Sequence, residues 1–188
     1  PEEFTARIAA FAAERKPGEW ILGGDWDHER WPGAPLPTRE WIDSVTPNNP
    51  VFVNRLDGHM AVANSAALRA AGITKATKDI AGGEIVRDPR TGNPTGLLKD
   101  NAMGPVYGAM PAPTEAQRDA ALARAVAFAA SKGVTAVNFM SAPTASLGAF
   151  QRAHAAGTLT VRTKMFFGID AWRWVADTVA AIGAGDDW

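Results

Sequence analysis

The chain has 188 residues, 46% hydrophobic and 21% charged, a composition of one globular domain or two small ones and not of a disordered, collagen-like or coiled-coil protein. Nineteen Lys and Arg against twenty Asp and Glu leave a formal charge of −1 with no basic stripe, so no nucleic-acid partner is expected. The absence of cysteine excludes disulfides, thiolate metal sites and cysteine nucleophiles, and leaves three imidazoles, His28, His59 and His154.

Phe4, Ile8 and Phe11 recur at helical spacing behind Glu2 and Glu3 and stop at Pro17-Gly18, which predicts an amphipathic helix over residues 2–15. Residues 19–24 follow as a short strand closed by Gly23-Gly24. Asp25-Trp26-Asp27-His28-Glu29-Arg30-Trp31 then reads as a polar and aromatic loop. Pro32, Pro35, Pro37 and Pro47 leave room only for a short helix capped by Thr38 and carrying Trp41. Val51-Phe52-Val53-Asn54-Arg55 is a second strand, followed by the turn pair Asp57-Gly58. Residues 59–63 lead into a short helix capped by Asn64 or Ser65 and stopped by Gly72. After a loop over 74–84, residues 84–88 and 95–99 flank the turn-rich segment 89–94 as a β-hairpin.

The pattern changes at Met110-Pro111-Ala112-Pro113, where a domain boundary is expected. Thr114-Glu115-Ala116-Gln117 has capping-box spacing, and Leu122, Ala125, Val126 and Ala129 form a stripe, so residues 114–132 read as a helix. Residues 134–140 read as a buried strand, 144–156 as a helix, 159–167 as a strand and 170 onward as a helix with Trp172, Val175, Val179 and Ile182 on one face. This α-β-α-β-α order is that of a parallel sheet with crossover helices.

No window approaches the roughly eighteen apolar residues of a membrane span. Pro1-Glu2-Glu3-Phe4 lacks the basic region and apolar core of a signal peptide, so no membrane partner and a soluble, cytoplasmic setting are expected.

Four groups invite chemistry, each with a plainer alternative. Asp25, Asp27 and His28 follow a strand and could ligate a metal or hold a polar substrate; equally they are a loop exit above packed Trp26 and Trp31. Asp57-Gly58-His59 sets an acid beside an imidazole, as base or ligand, or is simply a turn with an exposed histidine. Lys164 could be a Schiff-base former or, carboxylated, a metal bridge, but it shares a strand face with Arg162, as solvent-facing residues do. His154 shares a helix face with Leu147 and Phe150, which suits a satisfied core or interface histidine. The dinucleotide, P-loop, α/β-hydrolase and zincin signatures are absent.

Five segments occur in order: Trp20-Ile21-Leu22-Gly23-Gly24-Asp25-Trp26-Asp27; Pro50-Val51-Phe52-Val53-Asn54-Arg55-Leu56-Asp57-Gly58-His59; Ala63-Asn64-Ser65-Ala66-Ala67-Leu68; Gly82-Gly83-Glu84-Ile85-Val86-Arg87-Asp88 with Pro94-Thr95-Gly96-Leu97-Leu98; and Gly133-Val134-Thr135-Ala136-Val137. Together they resemble the metal-dependent amidohydrolases, in the branch that includes N-substituted formamide deformylase.

The resemblance implies an α/β fold: an inserted α+β region over residues 1–110, then βα units of an incomplete TIM barrel over 111–188. It implies a parent enzyme that hydrolyses non-peptide carbon–nitrogen bonds of a small-molecule substrate through hydroxide on a divalent metal, commonly zinc. Asp57 and His59 match the family's Asp-Gly-His segment and are expected in the substrate pocket, with Asp25 and Trp26 of the first segment.

Family members carry a His-x-His pair, a metal-bridging lysine on a later strand, further histidines and an aspartate on the last strand. None of these is placed here, and Lys164 lies one strand too early. Asn138-Phe139 stands where the family often has a histidine or aspartate. Gly185-Asp186-Asp187-Trp188 falls about where the lysine-bearing strand would begin. The chain is therefore expected to be an internal fragment, holding no metal and inactive alone, with a homodimer covering its open strand edges. The alternative is a non-catalytic module that binds a small ligand or partner through its tryptophan-rich loop over residues 20–41.

Overall fold

In the computed structural model, which describes residues 1–183 and 185, Glu2 and Glu3 open helix α1 (Glu2–Ala13), where the positive end of the helix dipole favours acids. Two units follow one another along the chain, divided between Pro111 and Ala112. The first is built on five strands: β1 (Ile21–Trp26), β2 (Val51–Arg55), β3 (Met60–Ala63), β4 (Gly83–Arg87) and β5 (Pro94–Asp100). Their order is β1-β2-β3-β5-β4, with β1 and β2 parallel and the other pairs antiparallel.

Both faces of this sheet are covered, which explains why β2 and β3 read as continuous apolar runs instead of alternating. Val51, Val53, Val62 and Leu97 pack on one face with Ile8 of α1, Ile21, Trp26 and Ile42. Phe52, Ala61, Ala63 and Leu98 pack on the other with Ala67 and Leu68 of α2 (Ser65–Ala70) and Val106 of α3 (Gly104–Ala109). Phe4, Trp26, Trp31 and Trp41 form an aromatic cluster with ring centroids 5.6–6.5 Å apart.

Three expectations for this unit are corrected. The first strand does not close at Gly23-Gly24 but runs to Trp26 through a bulge at Asp25, whose φ is 49°. Gly24 permits this close pairing, since a β-carbon there would lie 2.9 Å from Val53 Cβ. The helix expected after Thr38 is instead two short 3₁₀ turns, Arg39–Trp41 and Asp43–Val45, and the Thr38 side chain makes no cap hydrogen bond. Residues 101–109, for which the sequence predicts no element, form a 3₁₀ turn and α3, with Pro105 near its start, where a missing N–H is harmless.

The second unit begins with α4 (Glu115–Ser131). Both halves of its capping box are present: Thr114 Oγ1 accepts from the Gln117 N–H at 3.2 Å, and Gln117 Oε1 accepts from the Thr114 N–H at 2.8 Å. Strands β6 (Ala136–Phe139) and β7 (Arg162–Met165) pair in parallel, separated in sequence by α5 (Leu147–Ala155); α6 (Trp172–Ile182) follows. Arg152 of α5 holds Asp119 of α4 through Nη2 at 2.7 Å and Nε at 3.0 Å.

The strand expected to be buried is not. Three of the four β6 residues are exposed, because the β6–β7 sheet has two strands among the described residues and each keeps an open edge. Trp172, Val179 and Ile182 of α6 are likewise exposed. His154, expected in a core or interface, is exposed on α5, and Lys164 is exposed on β7 with its Nζ over the Phe166 ring. Of the segment expected to enter a lysine-bearing strand, residues 186–188 lie outside the described residues. No helix among the described residues is long and apolar enough to cross a membrane.

Candidate functional site

Arg55, the last residue of β2, organises the end of the first sheet. Its side chain is 13% exposed and faces three carboxylates: Asp27 at 3.4 Å, Glu29 at 3.3 Å and Asp57, the closest. The bulge at Asp25 places Asp27 here, and Asp27 Oδ1 also accepts from the Glu29 N–H, starting a 3₁₀ turn over His28–Arg30. Burial opposes the Arg55 charge, but the Asp57 hydrogen bond and the charges of Asp57, Glu29 and Asp27 outweigh it and push its pKa upward.

Asp57 sits in the tight turn from β2 to β3, closed by the Gly58 N–H to Arg55 O at 2.9 Å, with Gly58 at φ 75°. Its Oδ1 accepts from the His59 backbone N–H at 3.1 Å, and its Oδ2 faces Arg55. The His59 N–H first, and then Arg55, hold the Asp57 carboxyl below the usual carboxylate range against the opposing effect of burial.

On the far side of the turn, His59 Nδ1 lies 2.7 Å from Asp100 Oδ1. The β3–β5 register makes this pair, since Met60 stands opposite Lys99 and the Asp100 N–H donates to His59 O at 3.0 Å. The Asp100 hydrogen bond, then its charge and that of Asp57, raise the His59 pKa, so the imidazolium persists to higher pH than usual.

The structure thus joins Asp57 and His59 in one turn and adds two residues that the sequence reading missed, Arg55 and Asp100. The Arg55-x-Asp57 spacing was a usable signal for the first. Asp100 lies 41 positions from His59 and only strand register brings it there. Asp25 is exposed at the bulge and enters none of these contacts. Trp26 is placed in the core: it is buried and its Nε1–H donates to Val53 O at 2.8 Å. Trp31 and Trp41, both half-buried, pack on Phe4 and on each other.

These residues do not fit a metal ion. Among the described residues, no group of three or more His, Cys, Asp or Glu side chains is placed to hold one. The reason is local: the Asp27, Glu29 and Asp57 carboxylates surround a guanidinium, and His59 Nδ1 is taken by Asp100. The Nδ1 of His28 is buried without a hydrogen-bond partner among the described residues, but its ring packs against Trp26, not into the acid cluster.

Residues 1–182 match the model of the amidohydrolase family. Over 186 residues the chain is 38% identical to Protein LONG AFTER FAR-RED 3 of Arabidopsis thaliana, covering 94% of this chain and 32% of that protein. It is 35% identical over 161 residues to the N-substituted formamide deformylase of Arthrobacter pascens, covering 82% and 29% respectively. A crystal structure of a metal-dependent hydrolase from Pyrococcus horikoshii superposes with a TM-score of 0.62 at 23% identity, covering 98% of this chain and 33% of that one, a likeness of fold. The chain thus spans about a third of the length of the relatives it matches.

Proposed function

Because the chain belongs to the amidohydrolase family, we propose that it is one segment of a metal-dependent hydrolase acting on non-peptide carbon–nitrogen bonds of a small-molecule substrate. The single observation carrying this reading is the family match over residues 1–182; a relative named N-substituted formamide deformylase supports the carbon–nitrogen bond. In this reading residues 1–110 are an α+β region inserted into a barrel, and β6 and β7 are two of its neighbouring parallel strands. A closed barrel of this type takes eight βα units and about 250 residues. The open edges of β6 and β7 and the exposed Val137 and Phe166 then meet the remaining barrel strands, or a second copy when the chain is alone.

The divalent ion, zinc in this reading, is held by residues in the other two thirds of the enzyme. The present segment contributes binding groups: Asp57 and His59 in the turn from β2 to β3, with the exposed Asp25 of β1 as a further candidate. Their work is to orient a polar substrate group against a surface fixed by Arg55.

Hydrolysis of N-substituted formamides and other non-peptide amides should be measured for the whole enzyme and for the chain alone, each with divalent metal supplied. Turnover by the whole enzyme, abolished by chelator, and none by the chain is the expected result. A whole enzyme that cleaves esters or phosphoesters but no amide would remove the carbon–nitrogen assignment. Turnover by the chain itself would remove the assignment of the metal ligands elsewhere.

A further inference from the structure

Asp100 is delivered to His59 by a strained backbone. Its φ of 46° and ψ of −124° lie in a region that residues with a β-carbon seldom enter. Several bonds hold it there: the Asp100 N–H donates to His59 O at 3.0 Å, the Asn101 N–H to Gly82 O at 3.2 Å, and Asn101 Nδ2 to Ala81 O at 2.8 Å. From this position Oδ1 meets His59 Nδ1 at 2.7 Å, within the charge-assisted range. Asp57 fixes the other end of His59 by accepting its backbone N–H, and is itself held by Arg55. Asp57 thus fixes the His59 backbone and Asp100 its ring, although the His59 side chain is 75% exposed. Its Nε2 has no partner among the described residues.

The charges around it are unbalanced. Asp27, Glu29, Asp57 and Asp100 stand against Arg55 and His59, while the neighbouring Lys99 and Glu84 pair with each other at 2.7 Å. With four carboxylates facing one guanidinium and one imidazole, a carboxylate-bearing ligand is repelled.

We infer that Asp100 is a positioning residue that fixes the His59 ring through Nδ1, so that the Nε2–H of the imidazolium donates to the carbonyl oxygen of an uncharged amide substrate. This deepens the hydrolase reading given above and rests on it. Asp100 acts only through His59; it touches no substrate. In the neutral imidazole the proton stays on Nδ1, facing Asp100, the reverse of the tautomer that exposed histidines prefer.

Two measurements separate this inference from the hydrolase reading. Ring ¹⁵N shifts of His59 in the chain, recorded across its titration, are expected to show the Nδ1–H tautomer at high pH. Asp100→Asn, which keeps the shape and tolerates positive φ, is expected to abolish that preference and lower the His59 pKa. An Nε2–H tautomer in the unaltered chain overturns the positioning role whatever the enzyme hydrolyses.

In the whole enzyme, Asp100→Asn is expected to lower kcat/KM for N-ethylformamide roughly 10- to 100-fold and to move the alkaline limb of the pH profile to lower pH. Asp100→Glu should recover part of the loss, and N-ethylformamide should be preferred to N-formylglycine at least about tenfold. An unmoved alkaline limb, or preference for N-formylglycine, overturns the inference while the hydrolase reading stands. An enzyme that hydrolyses no amide overturns the substrate assignment and the hydrolase reading together, and the tautomer then decides the positioning role by itself.

Discussion

Replacing Asn64 with alanine is expected to destabilise the first unit by about 5 kcal/mol, from several buried groups losing partners at ~1–3 kcal/mol each and a helix cap worth ~1. Asn64 is buried, 1% exposed, and meets five polar groups on four residues. Its Oδ1 accepts from the Val51 N–H at 3.0 Å and from the Ala67 N–H at 2.9 Å, which joins the start of β2 to the first turn of α2. Its Nδ2 donates to Asn49 O at 2.8 Å, Thr46 Oγ1 at 2.9 Å and Thr46 O at 3.3 Å. The residues that carry these groups are themselves buried, so the loss is far larger than that of an exposed hydrogen bond. Small domains have net stabilities of roughly 5–15 kcal/mol, so such a loss removes much of the fold. Urea unfolding followed by tryptophan fluorescence measures it, with the exposed Asn48→Ala as a control expected to stay within about 0.5 kcal/mol. A loss below about 1 kcal/mol for Asn64→Ala would show that this network is not what joins the loop, the strand and the helix.

Gly96→Ala is expected to cost about 4 kcal/mol, from overpacking of ~1–3 kcal/mol added to backbone strain of similar size. Gly96 lies within β5 at φ +96°, and a β-carbon there would stand 2.4 Å from Ala63 O and 2.9 Å from Arg39 Cβ. Both neighbours are held, Ala63 in β3 and Arg39 in a 3₁₀ turn, so neither can withdraw without breaking the sheet or the turn. The β3–β5 register that carries His59 to Asp100 runs through this strand. Gly96→Ala should therefore also separate that pair, seen as a fall in the His59 pKa. The contrasting substitution is Gly108→Ala inside α3, where nothing lies within 4 Å of the new methyl group. It is expected to stabilise by about 0.5–1 kcal/mol. Equal effects at the two glycines would contradict the close approach at Gly96.

Much of the framework was legible because its signals are local. Thr114 and Gln117 lie three residues apart and cap α4 as their spacing predicts, and Asn64 is one of the two caps named for α2. Val51 to Arg55 formed the strand that its composition predicts. The failures share a different cause. Gly23-Gly24 looked like a stop because sequence alone does not show the neighbouring strand that pairs through a bulge. Residues 134–140 are apolar enough for a buried strand, but burial needs partners, and β6 has one strand beside it among the described residues. Trp26 and Asp25 are adjacent in sequence, yet the bulge at Asp25 breaks the strand's alternation, turning Trp26 onto the face of Ile21 and leaving Asp25 exposed.

The candidate site shows the same division. Asp57-Gly58-His59 stands out as a local motif, and its turn geometry follows from the residues in it. Asp100 carries no motif of its own. Its meeting with His59 depends on β3 and β5 pairing with Met60 opposite Lys99, a contact fixed by tertiary structure alone. The sequence marks Arg55 only as a strand residue, although its charge fixes Asp27 and Asp57, both candidate ligands by sequence, together with Glu29.

That last point gives the most direct test of whether this segment carries substrate-side groups and not the metal set. The purified chain should be equilibrated with zinc, freed of excess by gel filtration, and its metal content measured beside that of the whole enzyme. Well under one equivalent on the chain, unchanged in His59→Gln and Asp57→Asn variants, with stoichiometric metal on the whole enzyme, is the expected result. One or more tightly held equivalents on the chain, lost in those variants, would contradict it and make the Asp57–His59 turn a metal site.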